Sequence, residues 1–363
     1  KKLVKMERHC RKIYDKYTNT NAVDNMLKVS GQKPGMAIKF SQLNADDTVI
    51  AMPNGKVIKL ARRGRDSAEN AASVGYWVED NKRENYTTMH TQAEFRTARE
   101  LMASAEGRQQ LSEWQKTLKL ILPDVELRRF VQRVFGHMLL GGNDEKKMIF
   151  LAGQPHTGKS TLLNSFNVLG DYAGTFNPAA MMEDGGTKPN PELIKQWHRR
   201  VVHNSESGMG RLDAGMIKKV SGRDQMMCRA LQSNTMIEGV IKFTAVMATN
   251  RVPRIYGADA AVRNRMLVLP IETVVTSAVD DKAMTTAVAE VCSDAILLWL
   301  LDGYKEYVRI GLDEDTWPKI ALGKTKDFND EISDVASFLG EVCVKAPDEM
   351  MALCNRPTTG MPK

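Results

Sequence analysis

Cysteine is scarce in this chain of 363 residues, and its distribution excludes two kinds of small scaffold. The number is odd, the spacing is irregular and no two form a C-x-x-C motif, which argues against a disulfide framework or a zinc site. The sequence therefore predicts reduced thiols and an intracellular, cytoplasmic protein. The cysteines are Cys10, Cys228, Cys292, Cys343 and Cys354.

Long apolar runs are also missing. No stretch approaches the roughly 18 to 20 apolar residues of a membrane-spanning helix, and the first residues do not resemble a signal peptide. We therefore expect a soluble protein that is not secreted and has no membrane partner. Because the chain starts at Lys1 and stops abruptly at Met361-Pro362-Lys363, we expect it to be excised from a longer polypeptide.

The composition that is present is that of a folded, basic protein. Apolar residues make up 42% of the chain, which is enough for a sizeable core in roughly two to three domains. The net charge of +7 and the pI near 9.0 fit an anionic partner. A moderate excess of Lys and Arg is also compatible with a solvated surface that has no such partner.

Residues 146–161, KKMIFLAGQPHTGKST, are the most informative stretch. The apolar run 148–152 is long enough for a buried strand, and residues 161–169 have the apolar spacing of a helix. The loop between them matches G-x-x-x-x-G-K-[ST] in the strand–loop–helix setting of a phosphate-binding loop, the Walker A motif. A Gly-rich turn that ends in Gly-Lys-Ser by chance is the alternative. The predicted nucleotide contacts are Gly153, Gln154, Pro155, His156, Thr157, Gly158, Lys159, Ser160 and Thr161.

The residue types of this loop suit a nucleotide phosphate. Glycines let the backbone wrap the anion, several N–H groups and the helix N-terminus face it, and Lys159 adds a full charge. Ser160 supplies a hydroxyl for Mg²⁺. The sequence therefore predicts a site for a nucleotide with its magnesium ion.

Upstream of the loop, small elements are expected. Residues 3–29 have helical periodicity, and Asn54-Gly55 lies between two short apolar segments, as in a β-hairpin. The polar segment 64–92 has little periodicity and is interpreted as a loop or linker. Its patch Tyr76-Trp77-Val78 could pack, stack or contact nucleic acid, and an ordinary surface loop is the simpler interpretation.

Helical segments are expected on both sides of the phosphate loop. Residues 93–141 look helical, with a stop at Pro123 and a new N-cap at Asp124. The segments 283–301 and 325–344 look helical as well. These segments predict a helical layer before the loop and a helical C-terminal region.

Strands and helices alternate between these helical regions. All the strands except those of one hairpin are apolar enough to be buried on both faces, which predicts an α/β fold with a mostly parallel sheet. The expected strands are 200–204, 243–248 and 266–271, with a helix at 213–220 and the hairpin strands at 226–231 and 236–241.

Glu206 is the candidate carboxylate of the site. It follows a strand that we expect to lie next to the phosphate-loop strand, so that its side chain approaches the γ-phosphate. There it could orient or deprotonate a water molecule and hold the Mg²⁺ shell. A strand-end Glu that faces solvent is the alternative, and Ser205 occupies the preceding place, where an Asp is often found.

Three further polar residues follow or precede apolar strands. Asn250 follows strand 243–248, where its amide could bind the γ-phosphate and the attacking water, although Asn is also a common turn former. Arg263 and Arg265 precede the last strand. In a ring ATPase, an arginine there can enter the neighbour's nucleotide site and stabilise the transition state. Without a ring, both are surface charges.

The segment 211–242 combines a hairpin with an excess of positive charge. Six Lys and Arg residues stand against three acidic residues, a net charge of +3, which suits contacts with the phosphates of a single strand. A charge cluster alone is usually a solvated face. The position of this one, inserted between two core strands, makes it a candidate nucleic-acid contact.

The order of GQPHTGKST, VVHNSESG, IKKVSGRDQMMCRAL, FTAVMATNRVP and DAAVRNRMLVLP resembles the superfamily 3 helicases, in the branch that forms the C-terminal motor of phage, plasmid and poxvirus primase-helicases. The resemblance covers about residues 118–342. It implies an α/β P-loop NTPase core related to AAA+ proteins, with helical N-terminal and C-terminal regions. The implied domains are an N-terminal region (1–117), the ATPase core (118–275) and a helical region (276–363).

The resemblance also implies roles for single residues. Lys159 and Ser160 become the ligands of ATP and Mg²⁺, Glu206 the second acidic motif and a Mg²⁺ ligand partly through water, and Asn250 the polar sensor. Arg265 becomes the arginine finger. Arg263 is the second choice for that role. Two departures from the family pattern are Pro155-His156-Thr157 in the loop and Ser205 before Glu206.

The implied partners are single-stranded DNA, further copies of the chain in a ring, hexameric by the family pattern, and a primase or polymerase domain elsewhere in the full-length chain. The resemblance implies that the IKKVSGRD segment and its hairpin face the DNA. The leading contacts are Lys218 and Arg229, and Lys219, Ser233 and Asn234 are further candidates. The resulting prediction is an ATP-dependent replicative DNA helicase motor. The alternatives are an ATP-switched DNA-binding or loader ATPase that does not unwind, and a P-loop kinase.

Overall fold

The computed structural model describes residues 42–64, 75–177, 181, 195–205, 212–229, 236–275 and 288–332, with the backbone alone at 226–229, 236–238 and 256. The predicted helix at 3–29 lies outside these residues. Contacts divide the chain into two compact units, one of residues 1–46 and 82–88 and the other of residues 47–81 and 89–363. In the first unit, the Asn44 side chain accepts from the Thr88 N–H at 2.9 Å and donates to the Thr88 hydroxyl at 2.8 Å. The predicted domain boundaries stay predictions.

The second unit begins with a three-stranded antiparallel sheet of β1 (Val49–Ala51), β2 (Lys56–Leu60) and β3 (Tyr76–Asp80), in the order β1-β2-β3. The predicted hairpin around Asn54-Gly55 is confirmed, because β1 pairs antiparallel with β2. Gly55 has a φ of 78°, and the side-chain amide oxygen (Oδ1) of Asn54 accepts from the Lys56 N–H at 3.2 Å. An Asn-Gly pair favours such a tight turn because glycine adopts positive φ without a steric cost.

The interpretation of residues 64–92 as loop or linker was wrong for β3. This strand pairs with β2 in the register Ile58↔Val78. Tyr76 and Val78 pack against the core, whereas Trp77 on the other face is 42% exposed. The strand was missed because five residues within a polar segment are too few to show a clear alternation of apolar and polar positions. It is stabilised by pairing with a strand twenty positions earlier, which a local sequence pattern does not reveal.

A helical layer comes next, in three helices that each begin at a capping side chain. They are α1 (Ala98–Ala103), α2 (Ala105–Ile121) and α3 (Val125–His137). The Thr97 hydroxyl and the Glu100 carboxylate form a capping box at α1, and Ser104 caps α2. The predicted N-cap at Asp124 is confirmed, since its carboxylate accepts from the Leu127 N–H at 2.6 Å.

The central sheet has five strands, all parallel, in the order β12-β4-β10-β6-β5. Its members are β4 (Met148–Ala152), β5 (Ala173–Thr175), β6 (Val201–Asn204), β10 (Thr244–Thr249) and β12 (Met266–Pro270). The fold is therefore an α/β fold with a parallel core, as predicted. The expectation that the strand before Glu206 lies next to the phosphate-loop strand was wrong. β10 separates β6 from β4, because apolar runs give strand positions in the chain and not their order in the sheet.

Helices cover both faces of this sheet. Along β4, Ile149 and Leu151 point to one core cluster, which also contains residues of α2, α3 and α7 (Ser293–Ile310). Met148 and Phe150 point to a second cluster, which includes residues of α5 (Ala214–Gly222) and α8 (Lys319–Glu331). Burial on both faces explains why the strand is a continuous apolar run.

The segments that connect the central strands are mixed. The helix predicted at 161–169 is a short α4 (Lys159–Asn164) followed by a 3₁₀ segment, Ser165–Tyr172, which has a kink at Gly170 with a φ of 54°. The predicted hairpin is confirmed as antiparallel β8 (Gln225–Arg229) and β9 (Met236–Val240). A small parallel pair, β7 (Leu212–Asp213) with β11 (Ile255–Tyr256), was not predicted. Helix α6 (Ala260–Arg263) precedes β12.

The C-terminal helices are shifted from their predicted bounds. Residues 288–291 are helical, the chain turns at Cys292, and α7 then continues to Ile310, nine residues beyond the predicted end at 301. Helix α8 starts at Lys319, directly after Pro318, whereas the predicted start was 325. Residues 283–287 and 333–344 lie outside the described part. None of the helices within the described ranges is long and apolar enough to cross a bilayer.

Candidate nucleotide-binding site

The predicted phosphate loop joins β4 to α4 at the carboxyl edge of the central sheet, the edge where its strands end. Gly153 leaves no room for a side chain, since a Cβ there would lie 1.8 Å from the Ile271 carbonyl oxygen. Gly158, at the start of α4, has a φ of 83°, and its Cβ would meet the Ile121 side chain at 2.6 Å. Glycine at both positions therefore lets the loop pack against α2 and the segment after β12.

Lys159 lies inside this loop with its ammonium group against backbone oxygens. Its Nζ donates to the carbonyls of Gly153 at 2.8 Å and Gln154 at 2.6 Å, and to the Thr157 hydroxyl at 3.2 Å. The residue is 8% exposed, and burial lowers the pKa of the ammonium group. All three acceptors are neutral, so a full positive charge lies in the loop without an opposite charge among them.

The Pro155-His156 interior of the loop forms a turn. Proline fixes φ near −65°, and His156 has a φ of 60°, a region that histidine enters more often than most residues. The Thr157 hydroxyl donates to the Gln154 carbonyl at 2.9 Å, and the Val275 N–H donates to the His156 carbonyl at 2.9 Å. These bonds hold a non-glycine turn in place, which accounts for the unusual composition.

Asn250 lies beside the loop, because β10 is the neighbour of β4. The Gly153 N–H donates to the Thr249 carbonyl at 3.2 Å, which connects the start of the loop to the end of β10. Asn250 and Gln154 both line a recess of about 550 Å³ that opens at the carboxyl edge against α8. The structure thus brings together the loop, its lysine and the predicted polar sensor.

Charged side chains line the rest of this recess. Arg251 follows Asn250 on one wall, and Glu272, Lys324, Asp327 and Glu331 lie on the other side. Lys324 forms an ion pair with Glu272 at 2.9 Å. The sequence interpretation missed Arg251 and the three carboxylates. The order Thr-Asn-Arg after a buried strand was a usable signal for Arg251, but α8 approaches the recess only through tertiary packing.

Arg263 and Arg265 lie at the opposite, amino edge of the sheet, where the strands begin. Arg265 immediately precedes β12, and its carbonyl accepts from the Met148 N–H at 2.7 Å. The Arg263 guanidinium donates to the Ala258 carbonyl at 3.0 Å, and that of Arg265 donates to the Ala261 carbonyl at 2.6 Å. Five residues of β4 separate this edge from the loop, a rise of about 16 Å. The arginines are therefore not part of the site formed by their own loop.

The predicted DNA-contacting lysines differ in their surroundings. Lys218 Nζ lies 2.6 Å from the Asp259 carboxylate, which also caps α6 through the Val262 N–H at 2.9 Å. The Lys218 hydrogen bond is the largest cause that lowers the pKa of Asp259. Lys219, on the same helix, is exposed and forms no ion pair within the part of the chain that the structure describes.

Several candidate residues cannot be placed. Glu206, Ser233 and Asn234 lie outside the described residues, and only the backbone of Arg229 is described. Strand β6 ends two residues before Glu206, with Asn204 in register with Met247 of β10. The carboxyl end of β6 therefore points toward the same edge as the phosphate loop, and the roles of these residues stay predictions.

No family model matches this sequence. Among curated proteins, the chain is 29% identical over 166 residues to "Putative helicase 022R" of Frog virus 3, which spans 42% of this chain and 16% of that protein. It is 26% identical over 191 residues to "Putative helicase V13" of Sputnik virophage, 47% of this chain and 24% of that protein. It is 23% identical over 248 residues to "Putative helicase L207/L206" of Acanthamoeba polyphaga mimivirus, 63% of this chain and 25% of that protein.

These matches span a quarter or less of the length of the relatives. Among solved structures, the apo structure of the NrS-1 C-terminal region is 15% identical, with a TM-score of 0.38, over 62% of this chain and 52% of that chain.

Proposed function

We propose that this chain is an ATP-driven helicase motor that moves along single-stranded DNA. The observation that carries the proposal is the phosphate loop, whose buried Lys159 has only neutral acceptors and lies beside the strand that leads to Asn250. The sequence similarity to proteins named as helicases supports this class over a P-loop kinase. The partial coverage of those relatives leaves the activity of the whole protein a proposal.

Within the site, Lys159 would bind the terminal phosphates and Asn250 would orient the attacking water. The structure fits a nucleotide, because the loop keeps a buried ammonium group ready for an anion and a recess of about 550 Å³ adjoins it. Ser160 and Glu206 are the proposed ligands of Mg²⁺, which supplies charge neutralisation for phosphoryl transfer when bound. Glu206 is also the proposed base for the water.

We further propose that the active form is a ring of several copies of the chain. The resemblance to superfamily 3 helicases suggests six copies. Arg263 and Arg265 lie at the amino edge, about a strand length from the loop of their own chain. They would contribute to hydrolysis only if this edge faces the loop of a neighbouring copy. A head-to-tail interface of this kind gives a ring when the rotation between successive copies closes, which is what we propose here.

The test is ATP hydrolysis by the wild type and by Lys159→Ala, each with and without single-stranded DNA. We expect DNA to stimulate the wild type and the variant to lose hydrolysis by about 100-fold or more, because a preorganised charge is removed. Lys116→Ala, at a lysine whose side chain is 69% exposed, is the matched control and should hydrolyse ATP normally. Unwinding of a forked duplex then separates a helicase from a loader, which would be stimulated without unwinding. Hydrolysis that DNA never stimulates would contradict the proposal.

A further inference from the structure

The recess beside the phosphate loop contains one cation that forms no ion pair within the part of the chain that the structure describes. Lys324 is paired with Glu272 at 2.9 Å. Arg251 is exposed and forms no ion pair with any residue in the described ranges, although Asp327 and Glu331 line the same recess. An arginine that stays unpaired beside carboxylates retains its donors for another anion.

The backbone at Arg251 is held at a defined place relative to the loop. The Thr249 carbonyl accepts from the Gly153 N–H at 3.2 Å, which ties the end of β10 to the first residue of the loop. The Thr249 hydroxyl accepts from the Arg251 N–H at 3.2 Å and donates to the Arg251 carbonyl. The backbone of Arg251 is thus two residues from Thr249, which is hydrogen-bonded to the loop, and these hydrogen bonds fix the position of that backbone relative to the loop.

The loop end of the recess is the end at which Lys159 is held. The Lys159 ammonium group donates to the carbonyls of Gly153 and Gln154, and both residues line the recess. An anion that binds Lys159 from this side therefore lies between that ammonium group and the wall formed by Asn250 and Arg251. The side chain of Arg251 is exposed and forms no ion pair in the described ranges, so a change of its side-chain rotamer would bring the guanidinium group to such an anion.

We propose that Arg251 binds the terminal phosphate of a nucleoside triphosphate held by its own phosphate loop. The proposal rests on the nucleotide binding proposed above. Arg251 then distinguishes a triphosphate from a diphosphate within one copy of the chain, whereas Arg263 and Arg265 at the amino edge serve a neighbouring copy. Its guanidinium group offers several donors in a planar fork, which suits phosphate oxygens.

The test compares the binding of two probes, ADP and the non-hydrolysable β,γ-imido analogue of ATP, by calorimetric titration with Mg²⁺. We expect Arg251→Ala to weaken the triphosphate analogue about tenfold or more, the usual loss for a hydrogen bond to a charged group, and to leave ADP within about twofold. Arg254→Ala removes an exposed arginine of the same loop that does not line the recess, and it should bind both probes like the wild type. Arg251→Lys should recover part of the preference for the triphosphate.

The other outcomes are decisive as well. An unchanged ratio of the two affinities in Arg251→Ala would overturn the role of Arg251 and leave the proposed function intact. Equal weakening of both probes would show that Arg251 acts on the shape of the loop, which also overturns the proposal. If the wild type binds neither probe while Lys159→Ala behaves identically, the proposed nucleotide site itself fails, and this inference fails with it.

Discussion

Positive groups lie at both edges of the central sheet, but their surroundings differ. At the amino edge, three cations form ion pairs within the chain: Lys242 pairs with Asp47 at 2.8 Å, Arg223 pairs with Asp144, and Arg62 contacts Asp144 at 3.1 Å. Arg263 and Arg265 at the same edge donate to backbone carbonyls. At the carboxyl edge, the Lys159 ammonium group contacts only neutral oxygens.

This contrast follows from the parallel arrangement of the strands. Every strand ends at the same edge, so the loops that follow β4 and β10 meet there and form a recess. The segments that precede the strands meet at the other edge, where paired charges connect them. A nucleotide phosphate of the chain's own site is therefore expected at the carboxyl edge, and at the amino edge only Arg263 and Arg265 are proposed to act on a nucleotide, that of a neighbouring copy.

The largest effect is expected from an arginine of the amino edge. Arg265→Ala should lower kcat for ATP hydrolysis by about 10³ while nucleotide affinity changes less than twofold, because the residue completes the site of another copy. Arg309→Ala, at a side chain that is 66% exposed on α7, is the control. Steady-state kinetics and nucleotide titration measure the two effects. A loss of affinity in place of kcat would place Arg265 in its own site and contradict the division between the edges.

Lowering the pH should reduce the free energy of unfolding of the fold that supports both edges. Burial lowers the pKa of His137, the last residue of α3, and of His203, in β6, to about 4. Because the unfolded rings have the ordinary pKa near 6.5, the unfolded state binds more protons below that pH, and the stability present above it is lost as the pH falls toward 4. Each ring should account for on the order of 2 to 3 kcal/mol of that loss.

Urea unfolding at pH values between 7.5 and 4.5 measures this loss. His137→Leu and His203→Leu should each make the free energy of unfolding depend less on pH in this range. If one of these two variants depends on pH as strongly as the wild type does, burial does not hold that histidine ring neutral in the folded protein.

The packing of the loop gives the next effect. Gly153→Ala should lower the free energy of unfolding by about 1 to 3 kcal/mol, because the new methyl group meets a backbone carbonyl, and nucleotide binding should weaken with it. Gly323→Ala is the matched control in α8, where a Cβ would have no atom within 4 Å. That change should raise stability by about 0.5 to 1 kcal/mol through helix propensity. Equal effects at both glycines would show that the close packing of the loop is unimportant.

The smallest effect concerns the proposed DNA contacts. Lys219→Ala should reduce the slope of log affinity for single-stranded DNA against log salt concentration by about 0.7. Lys218→Ala should change the slope less, since Asp259 already neutralises that ammonium group. Fluorescence anisotropy with a labelled oligonucleotide measures both slopes. A larger change for Lys218→Ala would mean that DNA displaces Asp259.

Much of the core could be predicted because its signals are local. The apolar run of β4, the Asn-Gly turn and the Asp124 cap depend on residues a few positions apart, and each was confirmed. The order of the strands could not be predicted, because β10 enters between β4 and β6 for reasons of tertiary packing. The same holds for β3, whose partner strand lies twenty residues away.

The candidate site was accessible from the sequence in part. The loop and Asn250 follow buried strands, and the sequence pattern was sufficient to find them. Arg251 and the carboxylates of α8 were missed. A turn after a strand and a charged helix face occur on most protein surfaces, so neither pattern in the sequence indicates a binding site. Their meeting at one recess depends on how α8 packs on β12, where Thr325 bonds the Val268 N–H at 3.0 Å.

The most direct test is ATP hydrolysis by a mixture of Lys159→Ala and Arg265→Ala subunits, each of which is expected to be inactive alone. If the two edges belong to one site shared between neighbours, mixing equal amounts should restore about a quarter of the wild-type rate, because random mixing places an intact loop against an intact arginine at about one interface in four. A mixture no more active than the two separate preparations would contradict the shared site.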